Sequence, residues 1–546
     1  MKNKCFIAII LLAAILRFYQ LGQLPRSYTP DELAQGYTAY SILNTGKDEW
    51  GSKNWLRLRS FGDYKPPLQT LLMIPSVKAF GLSPLAVRLP NALFSFLTIP
   101  LIYFFVKKLF NNSTIALISA LLLTISPSHL PMSRIALEAN LLPFLILLGS
   151  TLILRYRNKN KPFSVLLAGF VFGLTFYCYH SAKLFTPLYT IILAYHLKLN
   201  KKTLTLFFVP ILALLSFTVI LNNQAKVSRV GDIAITNPTD NWKSVADSQY
   251  QAHQNGLPVI FSRLFNNKLS YFYSRFTHNY LSYFSPQFLV TNGAGETTYG
   301  MLPGNGILGL LPFIALLYTL YLLITNQKKD RHILVFLTIS LLLSPIAAVL
   351  AKGSYSANRT SIMLPFLVIL SAYGLKQAYS HLKKHKIIIF LSIGFFLFNS
   401  LYFLQRYFYQ ADQILADGML YGHRQAIDYI RQHYPDKQII YSTKLSEPQT
   451  YVMFFNQVDP AIVQHQSGDW LRYEQEGRTF VDQLGQYQLA NYTFKPIDFV
   501  RDSQLPDTIL IGRPREFPAD IKTHTIYYPY ATAKDPAITI YQNEKL

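Results

Sequence analysis

Asp31 and Glu32 stand side by side in Tyr28-Thr29-Pro30-Asp31-Glu32, in a chain otherwise poor in acids. A third acid, Glu138, closes Ser133-Arg134-Ile135-Ala136-Leu137-Glu138. On a helix or turn, adjacent side chains point about 100° apart, so Asp31 and Glu32 need not share a role. One can take a proton from a nucleophile while the other binds a metal or orients a partner. The same residues also suit a helix start, where Asp after Thr-Pro accepts from free backbone N–H groups.

Cations accompany these acids. Lys65, in Asp63-Tyr64-Lys65-Pro66-Pro67, precedes two prolines that stiffen the backbone. Held there, its ammonium suits a phosphate, and snorkelling at a membrane edge explains it as well. Arg134 and Glu138 are four apart and pair if that stretch is helical. His180 and Lys183, in Tyr179-His180-Ser181-Ala182-Lys183, suit an anionic ligand or a plain surface turn. Arg359 stands in Ser356-Ala357-Asn358-Arg359-Thr360, at the start of an apolar stretch. Ionisable groups at such depths are often functional.

The elements that must position these residues are apolar blocks. The chain has 546 residues, 51% hydrophobic and 14% charged, against about 25% charged in soluble domains. Eleven candidate spans lie near 5–21, 86–106, 113–128, 139–154, 163–180, 183–197, 203–221, 304–325, 332–350, 360–379 and 386–404. With the N-terminus inside, every inner connection is basic. Eighteen cations, from Lys2 and Lys4 through Arg155, Lys161, Lys328 and Lys329 to Lys386, face a single acid, Asp330. The formal charge of +23 thus orients a membrane protein. No face gathers cations for nucleic acid. Cys5 and Cys178 fall in apolar segments, which argues against a disulfide framework or a zinc site. The basic, apolar N-terminus lacks a convincing cleavage site and reads as a retained first helix.

This alternation places the 22–85, 129–138 and 222–303 loops outside, with everything after about residue 405. All the candidate site residues then share one side of the membrane. Within the third loop, Phe261, Leu264, Phe265, Leu269, Phe272, Phe276, Tyr280 and Tyr283 recur at helical spacing. They predict helices lying in the membrane interface or packed on the protein. Residues 1–410 form the predicted transmembrane unit. In 411–546, strand signals at 438–442, 508–512, 525–528 and 537–541 alternate with helical patches and predict a small outer α/β domain. No internal repeat and no phosphate-binding glycine loop occur, and Gly304-Asn305-Gly306 reads as a helix-entry turn.

Four patterns resemble the polytopic, lipid-linked-sugar glycosyltransferases of the C-type fold. They are Asp31-Glu32, Lys65-Pro66-Pro67-Leu68, Leu85-Ala86-Val87-Arg88-Leu89-Pro90, and Arg134 to Glu138. Within that group the chain is most similar to bacterial relatives of protein O-mannosyltransferases and of the aminoarabinose transferase that modifies lipid A. The likeness covers residues 1–200 well, and later spans match mainly in layout. It implies transfer of a sugar from a polyprenyl-phosphate carrier to a hydroxyl of a glycan, lipid or protein, with inversion, at the outer face of a bacterial-type cytoplasmic membrane. It implies Asp31 as base, and Glu32 and Glu138 as groups that orient substrate or hold a divalent metal, with Asp31 and Glu138 as the metal candidates. Lys65, Arg134, His180, Lys183 and Arg359 become candidates for the carrier phosphate. Tyr64 stands where aminoarabinose transferases carry an acid before Lys-Pro-Pro, which puts a metal at this loop in doubt. The rival readings are a transporter, which would place ionisable groups mid-span, and a sensor with a ligand-binding outer domain.

Overall fold

The computed structural model describes residues 2–159, 162–223, 234–236, 238–325, 330–353, 355–530 and 534–543. Of the expected inner cations, Lys161, Lys328 and Lys329 lie outside them, as does part of the 222–303 loop.

Each of the eleven apolar segments contains a helix. The first ten helices of the chain are α1 (Lys2–Phe18), α2 (Pro30–Thr45), α3 (Pro67–Phe80), α4 (Pro84–Phe110), α5 (Ser113–Thr124), α6 (His129–Ser133), α7 (Leu141–Lys159), α8 (Pro162–Leu174), α9 (Ala182–Leu197) and α10 (Lys201–Asn223). Local chemistry fixes their ends. Thr29 caps α2, accepting from Glu32 N–H, while Glu32 accepts from Thr29 N–H in return. Pro30 occupies the first turn, and Gly46 ends the helix at φ +71°. Ser83 caps α4, and Asn111 closes it in the left-handed region. Asn112 then caps α5 at once, so the two helices fold back on each other.

Among the described residues, five helices are long and apolar enough to cross a bilayer. The helix Lys386–Tyr409 is the clearest. Its residues Ile387, Phe390, Leu391, Phe398 and Leu401 are exposed, which in water would be prohibitive and in hydrocarbon is natural. The predicted interfacial region forms the helices Val259–Phe265 and Lys268–Ser282. Leu264, Phe265 and Leu269 stay exposed, while Tyr280 donates to the Leu342 carbonyl of the helix bundle at 2.8 Å.

Residues 438–542 build a six-stranded sheet from β3 (Gln438–Tyr441), β4 (Tyr487–Leu489), β5 (Tyr492–Phe494), β6 (Thr508–Gly512), β7 (His524–Tyr527) and β8 (Pro536–Gln542). The order is β4-β5-β3-β6-β8-β7, with β3 parallel to β5 and β6 and the remaining pairs antiparallel. A short hairpin, β1 (Leu58–Arg59) with β2 (Tyr64–Lys65), lies in the first long loop.

This sheet unit does not stand apart from that loop. One buried apolar cluster joins Tyr28, Leu33, Tyr37, Phe61 and Val87 to Ile427, Tyr451, Phe454, Trp470 and Ile511. The Tyr37 hydroxyl donates to the Val458 carbonyl at 2.6 Å. Gln464 Nε2 donates to Thr45 Oγ1 at 2.8 Å, and Ser467 to the Glu49 carbonyl at 2.9 Å. A Cβ on Gly36 would stand 2.4 Å from Val87, so only glycine lets α2 lie this close to α4.

Candidate functional site

The acidic pair divides its work. Glu32 lies inside the protein, where its carboxylate takes the Arg88 guanidinium through Oε1 at 2.9 Å and Oε2 at 3.1 Å. Both side chains are essentially fully buried. Glu32 also accepts from the Ala136 N–H at 3.3 Å, and Arg88 donates to the Pro25 and Ser27 carbonyls. This geometry makes Glu32 a clamp between α2, α4 and the 134–138 turn, with no lone pair aimed at a substrate.

Asp31, one residue earlier, points the other way. Lys65 Nζ lies 2.8 Å from Asp31 Oδ1 and 3.3 Å from Asp63 Oδ2. Asp31 is the open member, with its side chain 36% exposed against 15% for Lys65 and 12% for Asp63. Burial works against the Lys65 charge, but Asp31, Asp63 and Glu138 outweigh it and hold its proton far more firmly than usual. The β1–β2 hairpin aims this ammonium, and Pro66 and Pro67 lead straight into α3. An ammonium has three N–H donors, and these two carboxylates engage two of them.

Glu138 approaches from the other side. Gln35, one turn after Asp31 on α2, donates to Glu138 Oε1 at 3.1 Å and to the Asp31 carbonyl at 3.3 Å. Cys178 Sγ lies 3.1 Å from the Glu138 carbonyl, which ties the 178–183 turn to the site. His180 Nδ1 and Lys183 Nζ sit together on that turn at 3.5 Å. Arg359 donates to the Lys352 carbonyl at 2.9 Å. Tyr179 feels both Glu138 and Arg359, and Tyr299 feels Asp31, Lys65, Glu138 and Glu296.

Arg134 is turned away from the Asp31–Lys65 pair. Its two terminal nitrogens donate to the Leu16, Arg17, Tyr19 and Leu24 carbonyls at 2.7–3.2 Å. The guanidinium also lies over the Phe408 ring at 5.2 Å. It is a buried brace for the turn after α1, in place of the expected phosphate ligand. Nor does it pair with Glu138. The helix α6 stops at Ser133, and Glu138 opens a separate 3₁₀ turn, so the four-residue spacing is not helical.

The residues present do not fit a divalent metal held by Asp31 and Glu138. The Lys65 ammonium already supplies the counter-charge at Asp31, and an amide N–H group faces Glu138. Among the described residues, no three His, Cys, Asp or Glu side chains converge as a ligand set.

Gln35, Arg88 and Tyr299 are site neighbours to which the sequence alone assigned no role. Gln35 was accessible from its helical spacing to Asp31, and Arg88 from its place in one of the four patterns. Tyr299 carries no local signal, because the fold brings it in from a distant segment.

Residues 64–221 match the model of the dolichyl-phosphate-mannose-protein mannosyltransferase family. That stretch contains three of the four patterns, and Asp31-Glu32 precedes it. No curated protein matches the chain in sequence. The solved structure of ArnT from Cupriavidus metallidurans bound to undecaprenyl phosphate superposes with a TM-score of 0.52 at 12% identity, over 98% of this chain and 97% of that one. The apo oligosaccharyltransferase of Archaeoglobus fulgidus gives a TM-score of 0.47 at 14% identity, over 83% of this chain. This chain spans 64% of that protein's length.

Proposed function

We propose that this chain, which shares the fold of a solved ArnT and over residues 64–221 matches the dolichyl-phosphate-mannose-protein mannosyltransferase model, moves a sugar from a polyprenyl-phosphate carrier to a hydroxyl at the outer face of a membrane. The observation that carries the reading is the Asp31–Lys65 pair at 2.8 Å, exposed on the Asp31 side. It sets a base and a phosphate-binding cation side by side.

In this reading Asp31 takes the proton of the acceptor hydroxyl. The acceptor oxygen attacks the anomeric carbon from the face opposite the phosphate, and the bond to the phosphate oxygen breaks with inversion. The departing phosphate is already a good leaving group, so positive charge serves it better than a strong acid. The third N–H of Lys65 meets it, and His180, Lys183 and Arg359 extend the cationic rim. Glu138 fixes Gln35 and so the start of α2. Glu32 and Arg88 hold the backbone beneath Asp31. No step runs through a metal. The long carrier tail remains in lipid beside the exposed apolar helices. Residues 1–410, with eleven spans, form the membrane unit, and 411–546 lie outside, over the first loop. The acceptor is a glycan, lipid or protein hydroxyl.

The test is consumption of donor. Purified full-length protein in lipid is given polyprenyl-phosphate sugars labelled in the sugar, together with envelope extract as acceptor. Transfer of label out of the lipid phase supports the reading. Movement of intact donor across the bilayer would support a transporter instead, and binding without turnover a sensor.

A further inference from the structure

The C-terminal sheet unit delivers one more carboxyl to this site. Glu447 opens the helix Pro448–Phe455 in the left-handed region at φ +45°, directly after Ser446 at φ +57°. Two consecutive non-glycine residues in that region are unusual, and such backbone persists where its surroundings impose it. Here they impose it from both sides. The Tyr451 hydroxyl, one turn along the same helix, donates to the Tyr28 carbonyl at 2.7 Å, three residues before Asp31. On the other side, the Glu447 N–H donates to Asp482 Oδ2 at 3.3 Å. The neighbouring Val481 N–H donates to the Phe61 carbonyl at 3.0 Å, two residues before Asp63. Gly62 has no room for a side chain against Phe480, so the hairpin and the 479–482 turn are in close contact. The kinked 446–447 turn is thus fixed between the α2 start and the Lys65 hairpin.

We propose that Glu447 is a substrate-positioning residue of this site, donating a hydrogen bond from its carboxyl to a phosphate oxygen of the polyprenyl-phosphate carrier held by Lys65. The inference rests on the functional reading above and adds to it a part for the C-terminal unit. The groups facing Glu447 are Asp31 from α2, Asp63 and Lys65 from the hairpin, Asp482 from the 481–483 turn, and the phenols of Tyr451 and Tyr487. Burial, followed by Asp31, pushes its carboxyl up to about 8 against the pull of Lys65, with Asp482 and Asp63 adding to the rise. At neutral pH it therefore carries a proton to donate. Once ionised, it would repel the phosphate it had held.

The experiment measures undecaprenyl phosphate binding by the full-length protein in lipid nanodiscs from pH 6.5 to 9. Wild type, Glu447→Gln and Glu447→Ala are compared, each with its thermal unfolding profile. Wild-type affinity falls about tenfold as pH rises through about 8, the worth of one hydrogen bond to a charged group. Glu447→Gln keeps an N–H donor that cannot ionise, so it binds like wild type at pH 7 and loses no affinity on the alkaline side beyond the lipid's own titration. Glu447→Ala binds about tenfold more weakly at pH 7, with the same flat profile. An alkaline loss in Glu447→Gln equal to that of wild type would overturn the proposal, as would wild-type affinity in Glu447→Ala. Failure of wild type to bind at any pH would overturn the functional reading itself and this proposal with it.

Discussion

Glu32→Gln separates a structural acid from a chemical one. The Glu32–Arg88 pair has 0% and 1% side-chain exposure for arginine and glutamate, and its two charge-assisted bonds are 2.9 and 3.1 Å. Glutamine keeps the shape and one carbonyl acceptor but removes the anion. The guanidinium then stays buried with only the carbonyls around Leu21, Pro25 and Ser27. Removing one partner of a buried pair costs about 3–5 kcal/mol, because the remaining charge is uncompensated. The cost concentrates at the α2 start, where Glu32 also closes the capping box. Replacing both partners, Glu32→Gln with Arg88→Met, removes the orphaned charge and recovers a large part of the loss. Unfolding in mixed micelles, with the four members of a double-mutant cycle, reads this coupling directly. Wild-type stability in Glu32→Gln together with lost turnover would refute the reasoning and return Glu32 to the chemistry.

Three further outcomes are expected. Lys65→Ala should weaken undecaprenyl phosphate binding by about tenfold or more, and Lys65→Arg should not restore it, because a planar fork cannot replace a compact ammonium between two carboxylates; unchanged affinity in Lys65→Ala would remove Lys65 from the phosphate site. Glu49, buried beneath the C-terminal unit, is pushed by burial and then by Asp48 from 4.5 up to about 8. The folded state thus holds a proton that the unfolded chain releases, so this group's stabilisation is full below about 4.5 and is lost as pH rises through about 8. Glu49→Gln should flatten that decline in a stability-versus-pH series, and an unchanged slope would contradict the assignment. Single cysteines at Asn54 and Glu476 should react with an impermeant reagent added outside whole cells while one at Asn200 stays protected; labelling of the Asn200 position alone would invert the topology.

Much of the helical layout was legible because long apolar blocks bounded by polar turns leave few options other than helices. The strands at 438–441 and 508–512 were legible for a similar reason, since short β-branched runs bounded by turns leave few other options. The acids were harder. Thr29-Pro30-Asp31-Glu32 carried both a cap signal and a chemical one, and the structure satisfies the first with Thr29 and Glu32 while leaving Asp31 to Lys65. Arg134 misled because its partners are main-chain carbonyls of residues 16–24, a cage that no residue type announces. Glu447 was out of reach because its turn reaches the α2 start only through the Tyr451–Tyr28 hydrogen bond, between segments more than four hundred residues apart.

The most direct test of the account compares Asp31→Asn with wild type in sugar transfer from a polyprenyl-phosphate donor, alongside thermal stability and carrier binding. Asparagine is nearly isosteric and caps a helix as well as aspartate, yet it cannot take a proton at neutral pH. The account predicts a variant that folds, inserts and binds undecaprenyl phosphate, with turnover reduced by about 10²–10⁴-fold. Full turnover at unchanged stability would show that Asp31 only starts a helix and would contradict the central claim.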